Sequence, residues 1–446
     1  MSILLNIKKG LDLNLEGQIE NPEIVGELKP TLIGICPDDF HGLIPKAEVK
    51  EGDKVLAGDA LLRDKNNPQV KVVSPVAGTV KAIVRGERRK IMNIVVEADY
   101  AEEGIKAFDV NATDRTQIID VLAQSGLLSM MVQRPYGVVP SPDATVRDIY
   151  VMAADTAPLA PSFDVELKGK EKELAKGVEV LSHLTNGKVY VARHESVKIA
   201  DIPGAEMIDV KGHHPAALPG TVIANTSPIN KGETVWTLDG VTLARIGSLF
   251  LNGKVDWQTI VAIVGSEVKT PAYIKTIVGA QVDQLLAGKL KTESDIRIIS
   301  GNVLTGKAVT KEEFLRAPYT QITVIPEGSH ADEFMGWASM SPSKMSVSRS
   351  FPGHFLGRRF SPDARLLGGR RAMIMSGEYE SVMPMDIMPE YLIKAILSRD
   401  IDKMEQLGIY EVIPEDFALA EYVDTSKLEL QKIVSEGLDF MKKETE

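Results

Sequence analysis

Residues 127–158 read LLSMMVQRPYGVVPSPDATVRDIYVMAADTAP, and they join a strong helix signal to a short apolar strand at residues 149–154. In an α/β unit, a loop near such elements binds the phosphate of a nucleotide or a flavin. A phosphate cradle needs consecutive backbone N–H groups aimed at one point, and therefore glycines with positive φ. This loop has Met130, Met131 and Pro135 instead, and Gly137 is its only glycine. We interpret the stretch as a cofactor-binding frame that lacks the cofactor site.

Composition and charge are those of an ordinary globular protein. The 446 residues allow about three domains at ~150 residues each. The net charge of -11 argues against nucleic-acid binding. Cys36 is the only cysteine, which excludes an intrachain disulfide and a cysteine-ligated iron–sulfur cluster or zinc site. No apolar run approaches the ~18 residues of a spanning helix, and the N-terminus lacks a signal-peptide layout, so we expect a cytoplasmic protein that contacts a membrane only through a partner.

Strand and helix patterns divide the chain into six segments and predict a multidomain α/β plus β protein. The segments are an N-terminal segment (1–29), a lipoyl/biotinyl-like β-barrel (30–100), a Rossmann-like α/β domain without a cofactor loop (101–255), a β-grasp (ubiquitin-like) domain (256–330), a basic, Gly/Met-rich docking arm (331–375) and a helical C-terminal domain (376–446).

The β-rich segment has the sequence pattern of a biotinyl or lipoyl carrier domain. Residues 49–55 and 58–62 predict two strands joined through a Gly-Asp turn, and the strand pattern then resumes and reaches SPVAGTV at 74–80. This pattern resembles the flattened β-barrel of those carriers. A carrier presents its lysine between apolar or acidic neighbours, whereas Lys65 precedes Asn-Asn-Pro. We therefore expect an unmodified structural domain, with a carrier as the alternative.

The α/β segment opens with a helix capped by Asp114 and ended by Gly126. Strands are predicted at 149–154 and 189–192, and Trp236 with residues 241–250 is predicted to form core strands.

Two adjacent histidines, His213 and His214, follow these strands. Sequence neighbours rarely bind one ion together and no third ligand lies nearby, so we predict a structural turn, or polar groups lining an interdomain groove, rather than a metal site.

The next segment is small and mixed. Strands at 260–264 and 271–280, a helix at 282–288 and strands at 296–301 and 303–306 predict a β-grasp fold. A domain of this size more often positions other parts than catalyses.

The docking arm locally reverses the negative charge of the chain. Its predicted partner-docking residues are Arg349, Arg358, Arg359, Arg365, Arg370 and Arg371. Asp363 is the single acid among them. The arm is either a solvated loop, or a mobile segment that docks on a membrane subunit or on anionic lipid head groups. Beyond it, Pro389 is predicted to open a helix that Gly408 ends, and residues 426–429 a capping box for the last helix.

Stretches along nearly the whole chain resemble one family. They are Ile7–Asp12, Val49–Val55, Lys65–Pro68, Arg85–Arg89, Gly212–Pro215, Leu218–Thr221 and Val382–Ile387. In these stretches and in its domain order, the chain resembles the A-subunit family of Na⁺-translocating NADH:quinone oxidoreductases. It resembles the C-subunit of the Rnf complex and the flavin-bearing subunit of respiratory complex I more distantly. Those distant relatives carry a glycine-rich flavin loop in place of residues 128–136, an E-C-E-P turn in place of residues 155–158, and C-terminal cysteine ligands that have no counterpart here.

The resemblance implies a peripheral subunit on the cytoplasmic face of the bacterial inner membrane. It implies a six-subunit pump that passes electrons from NADH to a quinone and exports Na⁺. FMN, FAD, riboflavin and iron–sulfur carriers are implied for the other subunits, with no cofactor, metal or catalytic residue in this chain. The implied partners are the other subunits, especially the membrane-embedded B-subunit, and a quinone. Na⁺ conduction is expected in the membrane-spanning partners.

A quinone site requires an apolar slot with one or two hydrogen-bond donors. The candidates for its contacts in this chain are Met130, Met131, Tyr136, His213, His214 and Phe355. Two other functions stay open. Flavin absorbance of the purified chain would indicate a flavin-dependent NADH dehydrogenase subunit, and a mass adduct on Lys65 would indicate a lipoyl-type carrier.

Overall fold

The computed structural model describes residues 2–101, 104–329, 340–347 and 351–445. The described strands are β1 Ile3–Asn6, β2 Ile24–Glu27, β3 Leu32–Ile35, β4 Pro45–Ala47, β5 Lys54–Val55, β6 Ala60–Asp64, β7 Lys71–Val73, β8 Gly78–Arg85, β9 Ile91–Ala98, β10 Val132–Arg134, β11 Asp148–Met152, β12 Val189–His194, β13 Glu206–Lys211, β14 Val235–Asp239, β15 Gln258–Val264, β16 Ala272–Ile277, β17 Ile296–Ser300, β18 Lys307–Val309 and β19 Gln321–Pro326. The described α-helices are α1 Arg115–Gln124, α2 Phe163–Glu166, α3 Glu171–Ser182, α4 Pro219–Ala224, α5 Gly240–Asn252, α6 Val282–Leu286, α7 Glu378–Val382, α8 Pro389–Ser398, α9 Ile401–Gln406, α10 Ala418–Val423 and α11 Leu430–Thr445.

The β-rich part consists of two antiparallel sheets, one with the order β3-β9-β8-β5 and one with the order β4-β6-β7. No closed barrel forms among the described residues; the region of the predicted flattened barrel consists of these two sheets, and the predicted strand pair is divided between them. Gly58 has φ +100, and the Asp59 carboxylate accepts the N–H of Leu56 at 2.9 Å. This tight turn directs the chain from β5 in one sheet to β6 in the other.

The second part contains a six-stranded sheet with the order β1-β13-β12-β11-β14-β10. All neighbours pair in parallel except β10, which runs antiparallel to β14 at the edge. Helix α1 begins as predicted, because the side chain of Asp114 accepts the N–H of Gln117. The central strand β11 is buried along its whole length, as its continuous apolar sequence predicts.

Residues 241–250, predicted to be core strands, lie in helix α5. Asp239 caps this helix by accepting the N–H of Thr242 at 2.6 Å, and Gly253 ends it in the left-handed conformation. The helix is buried on nearly all sides, packing against α3 and the sheet. An apolar run of this length fits a buried helix as well as a strand, which explains why the predicted strands are wrong here.

The third part is a six-stranded mixed sheet with the order β18-β17-β19-β15-β16-β2. The strands and helix predicted between residues 260 and 301 are present. Residues 303–306, however, form a turn instead of a strand, because the Asn302 side chain accepts the N–H groups of Leu304 and Thr305. The strand that follows is β18.

The C-terminal part is helical and has its own buried core. The helix that opens at Pro389 ends at Ser398, because Arg399 adopts a left-handed conformation (φ 54). Asp400 then caps α9, so the helix predicted to run to Gly408 is two helices.

The predicted capping box at residues 426–429 is also wrong. The Ser426 hydroxyl donates to Ala372, and α11 begins at Leu430. Glu421 of α10 accepts the N–H of Gln431 near the start of that helix.

The N-terminal segment joins two of these parts. Strand β1 pairs with β13 of the second part, and β2 pairs with β16 of the third. Within the described residues, no helix is both long and apolar enough to span a bilayer.

Candidate functional site

The carboxyl edge of the parallel sheet is where open α/β sheets bind ligands, at the point where the strand order reverses. In this sheet β12, β13 and β1 lie on one side of β11, and β14 and β10 lie on the other. The reversal therefore lies between the ends of β11 and β14. Asp155 follows β11, and Asp239 is the last residue of β14. Both carboxyl groups thus stand at this reversal.

A third acid, Glu166 at the end of α2, belongs to the same place. Its side chain is 4% exposed, and neither carboxyl oxygen forms a hydrogen bond of normal geometry with a described residue. Burial raises the pKa of Glu166 to about 8; the Thr320 hydroxyl and Arg245 oppose this rise, and the negative charges of Asp239 and Asp155 reinforce it. Glu166 is therefore a neutral acid at neutral pH.

The groups around Glu166 offer little to a phosphate. Burial raises the pKa of Asp155, whose carboxylate accepts the N–H of Ala157 at 2.7 Å. The guanidinium of Arg245 is buried, lies 5.8 Å from the centre of the Trp257 ring, and donates to a backbone carbonyl at 3.3 Å. Acids consequently surround the reversal between β11 and β14, and the Ala157 amide and the Arg245 guanidinium near them already have hydrogen-bond partners.

The stretch interpreted as a lost phosphate loop is a compact turn leading into β10. The N–H groups of Met130 and Met131 donate to Leu127 and Leu128, and the N–H of Gln133 donates to a backbone carbonyl at 2.7 Å. These N–H groups already donate to backbone carbonyls of the same stretch and therefore do not point together at a ligand.

Met130 and Met131 are both buried in the largest hydrophobic cluster described. Met130 lines a small apolar cavity with Phe40, Trp257 and Ala317. The space open to water there is about 10 Å³, which is roughly the room for one water molecule. A quinone ring does not fit into this cavity as it stands.

Tyr136 lies in a different place, against the C-terminal helices. Its hydroxyl is 3.1 Å from Thr445 Oγ1, and its ring meets Tyr410 edge to face at 6.4 Å. The side chain is only 8% exposed. Tyr136 therefore packs the second part against the C-terminal part.

The two histidines after β13 have opposite environments. His213 is exposed, and its Nδ1 lies 2.5 Å from a carboxylate oxygen of Asp12. His214 is buried, its Nδ1 is 3.3 Å from Thr156 Oγ1, and its Nε2 has no hydrogen-bond partner among the described residues. Burial lowers the pKa of His214 to about 4, so its ring is neutral at neutral pH. Within the described ranges, no three His, Cys, Asp or Glu residues group to hold a metal.

The sequence analysis missed a buried ion cluster at the edge strand β10 of the parallel sheet. Arg134, at the end of β10, is 1% exposed and donates to Glu415 and Asp416 at 2.9 Å each. Asp416 also accepts the N–H of Ile413 at 2.8 Å, and a side chain at Gly220 would collide with its carboxylate. The available signal was an arginine inside the apolar run MMVQRPY, where a charge requires a buried partner.

The predicted docking arginines differ in their partners. Arg365 pairs with Asp363 at 2.7 Å, and Arg370 pairs with Glu429 at 2.7 Å. Arg358, Arg359 and Arg371 are exposed. Arg349 lies outside the described residues.

Phe355, the last of the six quinone candidates, is 82% exposed. The structure places the six candidates in the interior, at the C-terminal interface, at the sheet edge and on the surface, and it does not gather them in one cavity.

The carrier alternative depends on Lys65, which is exposed in the turn between β6 and β7. Asp64 fixes this turn by accepting the N–H groups of Asn66 and Asn67 at 3.3 and 3.1 Å.

Comparisons with known proteins match most of the chain. The NqrA N-terminal barrel-sandwich hybrid domain matches residues 5–99, the NqrA second alpha/beta domain residues 113–255, and the NQRA C-terminal domain residues 260–311. The A-subunit of the Na(+)-translocating NADH-quinone reductase of Rhodopirellula baltica is 36% identical over 98% of each chain. That of Neisseria meningitidis serogroup A is 35% identical over 99% of this chain and 100% of its own. An NAD⁺-reducing [NiFe]-hydrogenase structure covers 74% of this chain and 61% of its own at 12% identity, with a TM-score of 0.37, which is too low to carry an argument.

Proposed function

Because the chain belongs to the A-subunit family of Na⁺-translocating NADH-quinone reductases, we propose that it works in such a pump without a redox group of its own. The predicted family is thereby confirmed. The proposed role is to shape the quinone end of the complex against its membrane part. FMN, FAD, riboflavin and iron–sulfur carriers then belong to other subunits, and Na⁺ passes through membrane-spanning partners.

The observation that carries this proposal is the set of acids at the reversal of strand order between β11 and β14. A flavin or nucleotide phosphate needs converging N–H donors and positive charge. Asp155, Glu166 and Asp239 stand at the reversal instead, and the amides of the stretch around Met130 bond within their own turn. The residues present do not fit a phosphate, so we assign no flavin or NADH site to this chain.

The finer fold assignments are part of the same proposal. The parallel strands with α3 and α5 support a Rossmann-like unit without a cofactor loop. The hairpin β15–β16, the helix α6 and the parallel pair β15–β19 support a β-grasp unit. Both units then act as scaffolds that hold the C-terminal part in place.

We place the protein on the cytoplasmic face of the bacterial inner membrane, next to the membrane-embedded B-subunit. The chain has a net charge of -11, and the exposed basic turns of its C-terminal half, which an anionic surface attracts, support a peripheral position with that side facing the membrane. Co-purification with integral-membrane subunits is the expected result, and a chain that purifies alone from solubilised membranes would contradict this placement.

The central experiment compares two activities of the pump with and without this chain. Omitting the chain should abolish reduction of a short-chain quinone by NADH while leaving reduction of a soluble artificial acceptor by NADH intact. The purified chain should show no flavin absorbance. Loss of both activities, together with a yellow purified chain, would establish the rival flavin-dependent dehydrogenase subunit instead.

For the quinone itself, the exposed candidates His213 and Phe355 can be reached without rearrangement, whereas Met130, Met131, Tyr136 and His214 are buried. We propose that the imidazolium form of His213, whose Nδ1–H donates to the Asp12 carboxylate, donates a hydrogen bond from Nε2 to a quinone carbonyl. In the assembled pump, His213→Gln should raise the KM for a short-chain quinone.

His183→Gln is the matched control, because His183 is also exposed but lies at the end of α3. An equal KM for both variants would remove His213 from the proposed site. The carrier rival is tested separately, since an intact mass without an adduct on Lys65 excludes it.

A further inference from the structure

The turn that ends at Phe360 holds two apolar side chains in solvent on a fixed base. Phe360 is 3% exposed, and its backbone is hydrogen-bonded to Asn14 and Glu16 of the N-terminal segment. At the tip, Phe355 and Leu356 are 82% and 59% exposed. Large apolar groups held outward on a braced turn mark a contact surface.

The same arrangement recurs a few residues later. Residues 355–359 read FLGRR and residues 366–371 read LLGGRR, so each apolar pair is followed by glycine and two arginines. Leu366 and Leu367 are 58% and 61% exposed. Gly357 and Gly368 both have positive φ, which turns the chain between the apolar pair and its arginines. We call these stretches the two apolar-basic turns.

The charges of the two apolar-basic turns are only partly compensated within the chain. Arg370 pairs with Glu429, whereas no ion pair joins Arg358 or Arg359 to another described residue. The acid between the turns, Asp363, is engaged by Arg365. An apolar pair beside such arginines matches the boundary of an anionic bilayer, where acyl chains accept the apolar groups and phosphates the cations.

We infer that the two apolar-basic turns hold this chain directly on the anionic lipid surface of the membrane. The inference rests on the proposed peripheral position at the cytoplasmic face. Charge complementarity favours lipid over a membrane protein as the occupant, because cytoplasmic loops of membrane proteins carry an excess of lysine and arginine. Such loops would repel these arginines, whereas anionic head groups attract them.

The test measures binding of the purified full-length chain to vesicles by co-flotation. Phosphatidylcholine vesicles are compared with vesicles that also contain phosphatidylglycerol. The chain should bind the second kind alone, and less as salt is raised. R358Q/R359Q should lower the partition coefficient about 30-fold, from ~1 kcal/mol for each basic residue near the surface. L366S/L367S should lower it as well, without changing its salt dependence.

R88Q/R89Q is the matched control, because it removes two adjacent exposed arginines from another turn and should leave binding unchanged. An equal loss in R358Q/R359Q and R88Q/R89Q would overturn the inference in favour of diffuse charge attraction. No binding to anionic vesicles by a chain that still co-purifies with membrane subunits would show a protein partner, and would overturn the inference alone. Vesicle binding without co-purification would instead overturn the proposed function and leave the lipid contact standing.

Discussion

The substitution Glu166→Gln should make the protein more stable at alkaline pH and leave its stability almost unchanged at acid pH. The pKa of Glu166 is about 8 in the folded chain, chiefly because of burial, against 4.5 for a free side chain. Below pH 4.5 the carboxyl group is protonated in both states. As the pH rises towards 8, the unfolded chain releases this proton while the folded chain keeps it, so unfolding becomes more favourable.

The size of the effect follows from the same two pKa values. Each tenfold change in proton affinity is worth about 1.36 kcal/mol, so ionisation in the unfolded state costs the wild type on the order of 4 kcal/mol by pH 8. Glutamine does not ionise and therefore escapes this cost. The free energy of unfolding of the variant should exceed that of the wild type by this amount near pH 8, and by little near pH 4.5.

Urea unfolding followed by circular dichroism, at both ends of this pH window, measures the difference. Glu20→Gln serves as the control, because Glu20 is exposed and makes no contact with the buried cluster around Glu166. A Glu166→Gln effect independent of pH would refute the argument. It would mean that Glu166 is ionised in the folded chain, and that a cation or a water network compensates it.

Three further substitutions test the other parts of this region. Arg134→Met should lower the free energy of unfolding by about 3–5 kcal/mol, because it leaves the buried Asp416 without its cation. Adding Asp416→Asn should recover part of that loss. If the effects of the two substitutions on urea unfolding simply added, Arg134 and Asp416 would not be coupled. As the pH falls from 6.5 to about 4, the free energy of unfolding of the wild type should decrease by on the order of 3 kcal/mol more than that of His214→Gln, because only the unfolded histidine gains a proton in that window. Parallel pH profiles of the melting temperature for the two proteins would contradict this. Asp114→Ala should cost about 1 kcal/mol through the lost cap of α1, and an unchanged urea midpoint would show that the cap is not needed.

Sequence reasoning succeeded where a local signal determines a local structure. The cap at Asp114 and the buried run that forms β11 needed no knowledge of the rest of the chain. It failed at residues 241–250, whose apolar run fits a buried helix as well as a strand, and at Arg399, whose left-handed conformation breaks the helix without a glycine or proline. In both places tertiary surroundings decide the backbone, and these are absent from a short window of sequence.

The candidate site was less predictable because its residues come from distant segments. Arg134 and Asp416 are separated by 282 positions, and no sequence pattern near either residue predicts that they pair. The three acids at the switch point likewise belong to a loop, a helix end and a strand end, and only the strand order brings them together.

Together these features explain why substitutions in the turn alone, or at the acids alone, are not expected to create a flavin site. Glycines placed at Met130 and Met131 would free the backbone of the turn, yet a phosphate at the reversal between β11 and β14 would still meet Asp155 and Asp239. Removing those acids alone would leave the amides of the turn bonded to Leu127 and Leu128. The loss of donors and the gain of acids are independent obstacles, and each is sufficient to disfavour an anion. A scaffold with both obstacles does not gain phosphate binding through one substitution, which agrees with the role proposed above for this chain.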